Sequence, residues 1–145
     1  MDREIFEDRF KIDEIDPGNK TPFRNVSRLH LTSYSDKQNR RFLELDVNVQ
    51  IYPVALGESF LIKVMNCSHI KNVYSKDEVS KSNEKDSYEY VMYGVVFEIE
   101  EKHNELIVYC SFGGLLMRVS GSIDAMANFR KEGKEARVYL LMKKA

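Results

Sequence analysis

The chain is 145 residues long, the size of one ordinary domain, and carries 22 Lys and Arg against 23 Asp and Glu for a formal charge of -1. That balance excludes a globally basic nucleic-acid coat protein and an acidic disordered tail alike, so any charged patch must be local. With 43% hydrophobic residues, seven glycines and three prolines, the chain can bury enough apolar surface to offset its own ordering, which argues against a disordered chain.

In chain order, Phe6, Phe10 and Ile12 sit at the even spacing of a strand, although Phe6 to Phe10 is also a helical step; strand is the preferred reading. From Arg41 to Tyr52 the pattern is clearer. Leu43, Leu45, Val47, Val49 and Ile51 alternate with Glu44, Asp46, Asn48, Gln50 and Tyr52, which predicts a strand with one wet face, ended by Pro53. The turn glycine Gly57 then predicts a hairpin into a second strand over Ser59 to Asn66. Periodicity is lost from Ser68 to Ser87, a charge-balanced stretch expected to be a flexible loop. A strand resumes over Tyr88 to Glu100, with Tyr90 and Met92 on one side, Val95, Phe97 and Ile99 on a shifted register, and Gly94 marking the shift as a bend.

Glu101 to Glu105 reads as a polar turn and Leu106 to Phe112 as the next strand. Gly113-Gly114 breaks it before Leu115 to Ser120. Ser122 is placed to cap a short helix bearing Ile123, Met126, Ala127 and Arg130 and stopped by Gly133. Arg137 to Lys143 is the last strand. About eight short strands, one helix and no βαβ alternation predict an all-β, antiparallel barrel in one domain spanning 1–145, with an open sandwich as the alternative.

The longest apolar run, Tyr90 to Phe97, is too short to span a bilayer, and Met1-Asp2-Arg3-Glu4 does not open a signal peptide, so no membrane partner and a cytosolic or nuclear location are expected. Cys67 and Cys110 have no Cys-x-x-Cys partner and read as buried structural thiols. No nucleophile elbow, phosphate-binding loop, dinucleotide fingerprint or His-Glu-x-x-His pair occurs. His30, His69 and His103 are dispersed, so neither metal nor cofactor is expected. Glu44 and Asp46 read as the wet side of their strand.

One stretch is electrically distinct. Between Lys20 and Arg41 lie Lys20, Arg24, Arg28, Lys37, Arg40 and Arg41 against the single acid Asp36, a local charge of +5, with Phe23 and Tyr34 among them. Cations beside aromatic rings are what a single nucleic-acid strand requires, with phosphates on the charges and bases on the rings. A solvated surface or a protein contact is the competing reading. Gly113-Gly114 is architectural or lets another chain approach closely.

Six ordered blocks then take on a joint meaning: Phe6-Glu7-Asp8 with Ile15-Asp16-Pro17, Val26 to His30, Asp46 to Pro53, Tyr88 to Gly94, Gly113 to Arg118, and Val138 to Lys144. Together they resemble the eighth subunit of eukaryotic nuclear RNA polymerases, the small subunit shared by polymerases I, II and III. The resemblance implies a barrel of the oligonucleotide-binding type and a non-catalytic role in the nucleus. It implies docking on the largest polymerase subunit, beside neighbouring subunits, with no small-molecule substrate. It also implies weak, non-specific binding of single-stranded DNA by the segment Asp16 to Asn39, which overlaps the +5 window. Lys20, Phe23, Arg24, Arg28, Tyr34 and Lys37 are the residues expected to carry that binding. The partner-facing regions are expected at Tyr90 to Gly94, through Tyr90, Met92, Tyr93 and Gly94, and at Gly113 to Arg118, through Gly113, Gly114, Leu115 and Arg118. The 68–87 stretch departs from the family's tendency toward acidic loops, with four lysines against four acids.

Overall fold

The computed structural model describes residues 3–67 and 87–145. The loop expected at 68–87 therefore lies outside the described residues except for Ser87. Eight strands form a closed antiparallel barrel: β1 (Arg3–Ile15), β2 (Val26–Ser33), β3 (Phe42–Asn48), β4 (Ser59–Asn66), β5 (Tyr90–Lys102), β6 (Glu105–Phe112), β7 (Leu115–Ser122) and β8 (Arg137–Lys144). Around the barrel they run β1-β2-β3-β7-β6-β5-β8-β4, with β4 returning to β1. Two meanders, β1 to β3 and β5 to β7, meet along β3 and β7, and β4 and β8 close the other side. Among the described strands, closure leaves no open sheet edge for aggregation to exploit.

Alternation chooses the inner face. Phe10, Ile12, Leu29, Leu31, Leu43, Leu45, Phe60, Ile62, Val108, Val119 and Leu140 point inward and are at most 2% exposed. The short helix α1 (Ala127–Glu132) lays Phe129 against Phe6, ring centroids 5.8 Å apart, at one end of this core. Gly133 ends the helix at φ 81°, its N–H donating to the Phe129 carbonyl at 2.9 Å. Ser122 caps the turn before the helix rather than the helix itself: its Oγ accepts the Ala125 N–H at 3.1 Å, and Met126 holds the N-cap position.

Four expectations require correction. β2 falls inside the basic window, where Arg28 and His30 between Leu29 and Leu31 hide a strand that charge counting does not see. β3 ends at Asn48, four residues before Tyr52. There the Asn48 side-chain oxygen accepts the Gln50 N–H and its carbonyl accepts the Tyr52 N–H at 3.0 Å, which turns Ile51 outward at 69% exposure and Tyr52 inward. No hairpin joins β3 to β4. Gly57 donates to the Ile12 carbonyl and Ile12 to the Glu58 carbonyl, so the connection crosses to β1, and β4 pairs with β1 and β8. Finally, the register shift of β5 falls at a bulge between Val96 and Glu98, with Val96 inside and Phe97 outside. Gly94 stays in register, pressed against β6.

Both cysteines are buried. Burial pushes the Cys110 thiol up from 9.0 to about 12. Because the folded value lies above the unfolded one, the stability this thiol contributes is intact below pH 9 and is lost as pH rises toward 12. In a Cys67→Ala variant, Ellman's reagent at pH 8 is expected to label Cys110 only on unfolding; stoichiometric labelling of the folded protein within seconds would contradict this.

Candidate interaction surfaces

The basic window does not survive folding as one patch. Arg28 sends Nε to Asp46 Oδ1 at 2.7 Å and Nη2 to Asp46 Oδ2 at 3.0 Å, and this hydrogen-bonded carboxylate raises its pKa. Arg41 sends Nη1 to Asp8 Oδ2 at 2.9 Å and Nη2 to the Ala125 carbonyl at 2.7 Å. Both acids come from outside the window, so counting along the chain missed them. Lys20, Phe23 and Arg24 precede β2, whereas Tyr34 and Lys37 follow it. Eight strand residues place the two groups about 25 Å apart, at opposite ends of β2. Phe23 and Tyr34 are both exposed, and Arg9 lies 4.7 Å above the Tyr34 ring, whose hydroxyl is 2.7 Å from Ser59 Oγ.

The regions expected to face a partner divide in the same way. Tyr90 and Met92 belong to the barrel core: Tyr90 stacks on Tyr52 at 5.2 Å, and its hydroxyl accepts the Asn48 N–H at 3.1 Å. Gly94 makes room for the barrel's own β6, since a Cβ there would lie 2.0 Å from the Ser111 carbonyl oxygen. Tyr93 packs outside the barrel in a second apolar cluster with Met65, Cys67, Tyr139 and Leu141. Gly113 and Gly114, at φ 64° and 99°, form the exposed β6–β7 turn with open space around them. Leu115 leans on the core, and Arg118 points out.

Arg118 leads to a surface that sequence reasoning passed over. Cross-strand pairing sets Glu14 beside His30, His30 beside Glu44, Glu44 beside Arg118, Arg118 beside Tyr109 and Tyr109 beside Glu98. This outward row crosses six strands. Arg118 Nη1 is 3.8 Å from Glu44, and its Nε donates to the Tyr109 hydroxyl at 3.4 Å; that bond raises the arginine's pKa. Flanking the row, Phe42 is 51%, Phe97 46% and Leu116 41% exposed. Two adjoining clefts share Glu44 and Arg118. One is lined by Asp13, Glu14, His30, Thr32 and Phe42, the other by Arg28, Phe97, Tyr109 and Leu116. The legible signal was an apolar residue in the wet phase of a strand, as Phe42 is opposite Leu43, Leu45 and Val47.

Asp46, expected on a wet face, is fully buried. Among the described residues no group of three or more His, Cys, Asp or Glu could hold a metal ion, and no helix is long and apolar enough to cross a membrane. His69 lies outside the described residues.

Known proteins agree over the length of this fold. The profile of the family RNA polymerase Rpb8 matches residues 7–144. A Saccharomyces cerevisiae protein named as DNA-directed RNA polymerases I, II, and III subunit RPABC3 is 32% identical, over 99% of this chain and 100% of its own. The Arabidopsis thaliana DNA-directed RNA polymerases II, IV and V subunit 8B is 32% identical over 97% and 95%. The Dictyostelium discoideum subunit rpabc3 of polymerases I, II, and III is 34% identical over 97% of each chain. With a profile match running nearly end to end and relatives of this identity covering both partners, the chain belongs to the RNA polymerase Rpb8 family.

Proposed function

We propose that the protein is a non-catalytic subunit common to nuclear DNA-directed RNA polymerases I, II and III. It docks on the largest subunit, contacts neighbouring subunits and supports assembly for DNA-templated transcription in the nucleus. One observation carries this reading: relatives named as subunits of several polymerases align with the chain over nearly its whole length and theirs. A closed barrel suits the role. With its described strands closed on one another, it engages a partner through outward side chains and rim turns, and Tyr93, Gly113, Gly114 and Arg118 are the expected contact residues that reach the outside, while Leu115 leans on the core. Purification of the tagged full chain from nuclear extract is expected to recover the largest subunits of all three polymerases. Protein recovered free of every polymerase subunit overturns the reading.

A second reading, weak binding of single-stranded DNA, is favoured by the exposed rings of Phe23 and Tyr34 beside Lys20, Arg24 and Lys37. With Arg28 held by Asp46, three of the four cations expected to bind, Lys20, Arg24 and Lys37, remain for phosphates. The isolated protein is expected to bind an oligothymidylate only at low salt, with log affinity falling against log salt at a slope of about -2. Arg24→Glu makes the slope shallower. Absence of binding at low salt, or a slope that Arg24→Glu leaves unchanged, removes this reading.

A further inference from the structure

We infer that the outer face running from β1 and β2 across β3, β7 and β6 to β5 is a docking groove for an extended segment of another polymerase subunit that presents a lysine or arginine next to an apolar side chain. The inference rests on the subunit reading and adds to it a place and a partner chemistry. The first support is where apolar surface remains. Among the described residues seven large apolar side chains are exposed; Phe23, Tyr34, Ile51 and Leu56 sit in connections, where single exposed residues are ordinary. Phe42, Phe97 and Leu116 lie on strands, and all three flank one row of paired side chains. Beside Phe97, the ring of Tyr109 lies 6.0 Å away and the Arg118 guanidinium covers Tyr109 at 5.9 Å, so the β5–β7 end is an aromatic and aliphatic pad.

Charge selects the occupant. Around the row stand Asp13, Glu14, Glu44 and Glu98 against Arg118 and Lys134, with Arg28 paired to the buried Asp46, which leaves an excess of carboxylates on the face. The two arginines face carboxylates already: Arg28 holds Asp46, and Arg118 lies beside Glu44. A phosphate chain or an acidic peptide would thus meet an excess of acids. At the β1–β3 end, Asp13 accepts the Thr32 hydroxyl, Glu44 stands 3.9 Å from His30 Nε2, and Glu14 forms no ion pair among the described residues. These carboxylates share a cleft with the exposed Phe42 ring. Carboxylates beside an aromatic face are the complement of an ammonium or guanidinium group, which gains both the ion pair and the ring's quadrupole. The pad at the other end accepts the apolar neighbour, and shape and charge together set one direction for the segment.

The test uses the tagged full chain expressed in cells, with polymerase subunits recovered per molecule of tagged protein as the readout. Leu116→Asp at the pad and Glu14→Lys at the acidic end are each expected to lower recovery about tenfold at physiological salt. Their melting transitions should remain cooperative. Wild type that recovers no polymerase overturns the subunit reading and this one with it. Folded variants that recover polymerase as wild type does overturn the groove alone. Where a variant fails to fold, a photo-crosslinking phenylalanine analogue at Phe97 decides the matter, because it replaces one exposed aromatic ring with another. A crosslink to a polymerase subunit segment containing Lys or Arg supports the groove. No crosslink in the assembled enzyme, or a crosslink to nucleic acid, overturns it.

Discussion

Asp46→Ala is expected to destabilise the fold by about 3 kcal/mol, the lower end of what breaking a buried ion pair costs. β3 and β7 pair from Phe42↔Ser120 to Leu45↔Met117 and then part. At the parting, the Asp46 side chain takes over from the backbone ladder: Oδ2 accepts the Leu116 N–H at 3.0 Å while both oxygens hold the Arg28 guanidinium. Removing the carboxylate orphans a backbone donor and strands a cation in one step. The arginine side chain is 36% exposed, so water recovers part of its solvation, which is why the lower end of the range applies. Asp46→Asn keeps an acceptor for Leu116 but loses the charge, and should fall between wild type and Asp46→Ala. Urea unfolding with an unchanged m-value measures both. A loss under about 1 kcal/mol for Asp46→Ala would show that the seam between the two meanders closes without this carboxylate.

Gly94→Ala should cost about as much, near the top of the overpacking range at about 3 kcal/mol. The new Cβ would sit 2.0 Å from the Ser111 carbonyl oxygen and 2.7 Å from Phe112 Cδ1. The ring can rotate; the carbonyl cannot. It belongs to the β6 backbone where Val95 pairs with Ser111, so β5 and β6 must separate. Gly114→Ala is the internal control. It meets nothing within 4 Å and bears only the strain of φ 99°, about 1 kcal/mol. Thermal melts of the two variants side by side distinguish close packing from turn conformation, and equal losses would refute the packing argument. Contact roles for these glycines are accordingly tested at Gly114, where the fold tolerates change.

Much of the barrel was readable before folding. β4 begins and ends at Ser59 and Asn66 as its alternation predicts, and the turns around His103-Asn104 and Gly113-Gly114 separate β5, β6 and β7 where polar residues and glycines mark them. α1 lies inside its predicted span, and the six blocks carried the family. Of the candidate surface, residue types were readable: a cation at Arg118, exposed rings at Phe23 and Tyr34.

Alternation and turn chemistry are local properties, so the sequence by itself determined most of the strands, though not β2, together with the apolar side of most of them and where many of them stop. Pairing is not local. That β4 joins β1 and β8 rather than β3, that Asp46 and Asp8 neutralise Arg28 and Arg41, that Gly94 gives way to Ser111, and that Glu14, Glu44, Arg118 and Tyr109 fall in one row were decided only by the tertiary structure. The physical reason is separation along the chain. Most of these relations join residues more than a dozen positions apart on different strands or their connections, and only the pairing of strands around the barrel determines which of them meet.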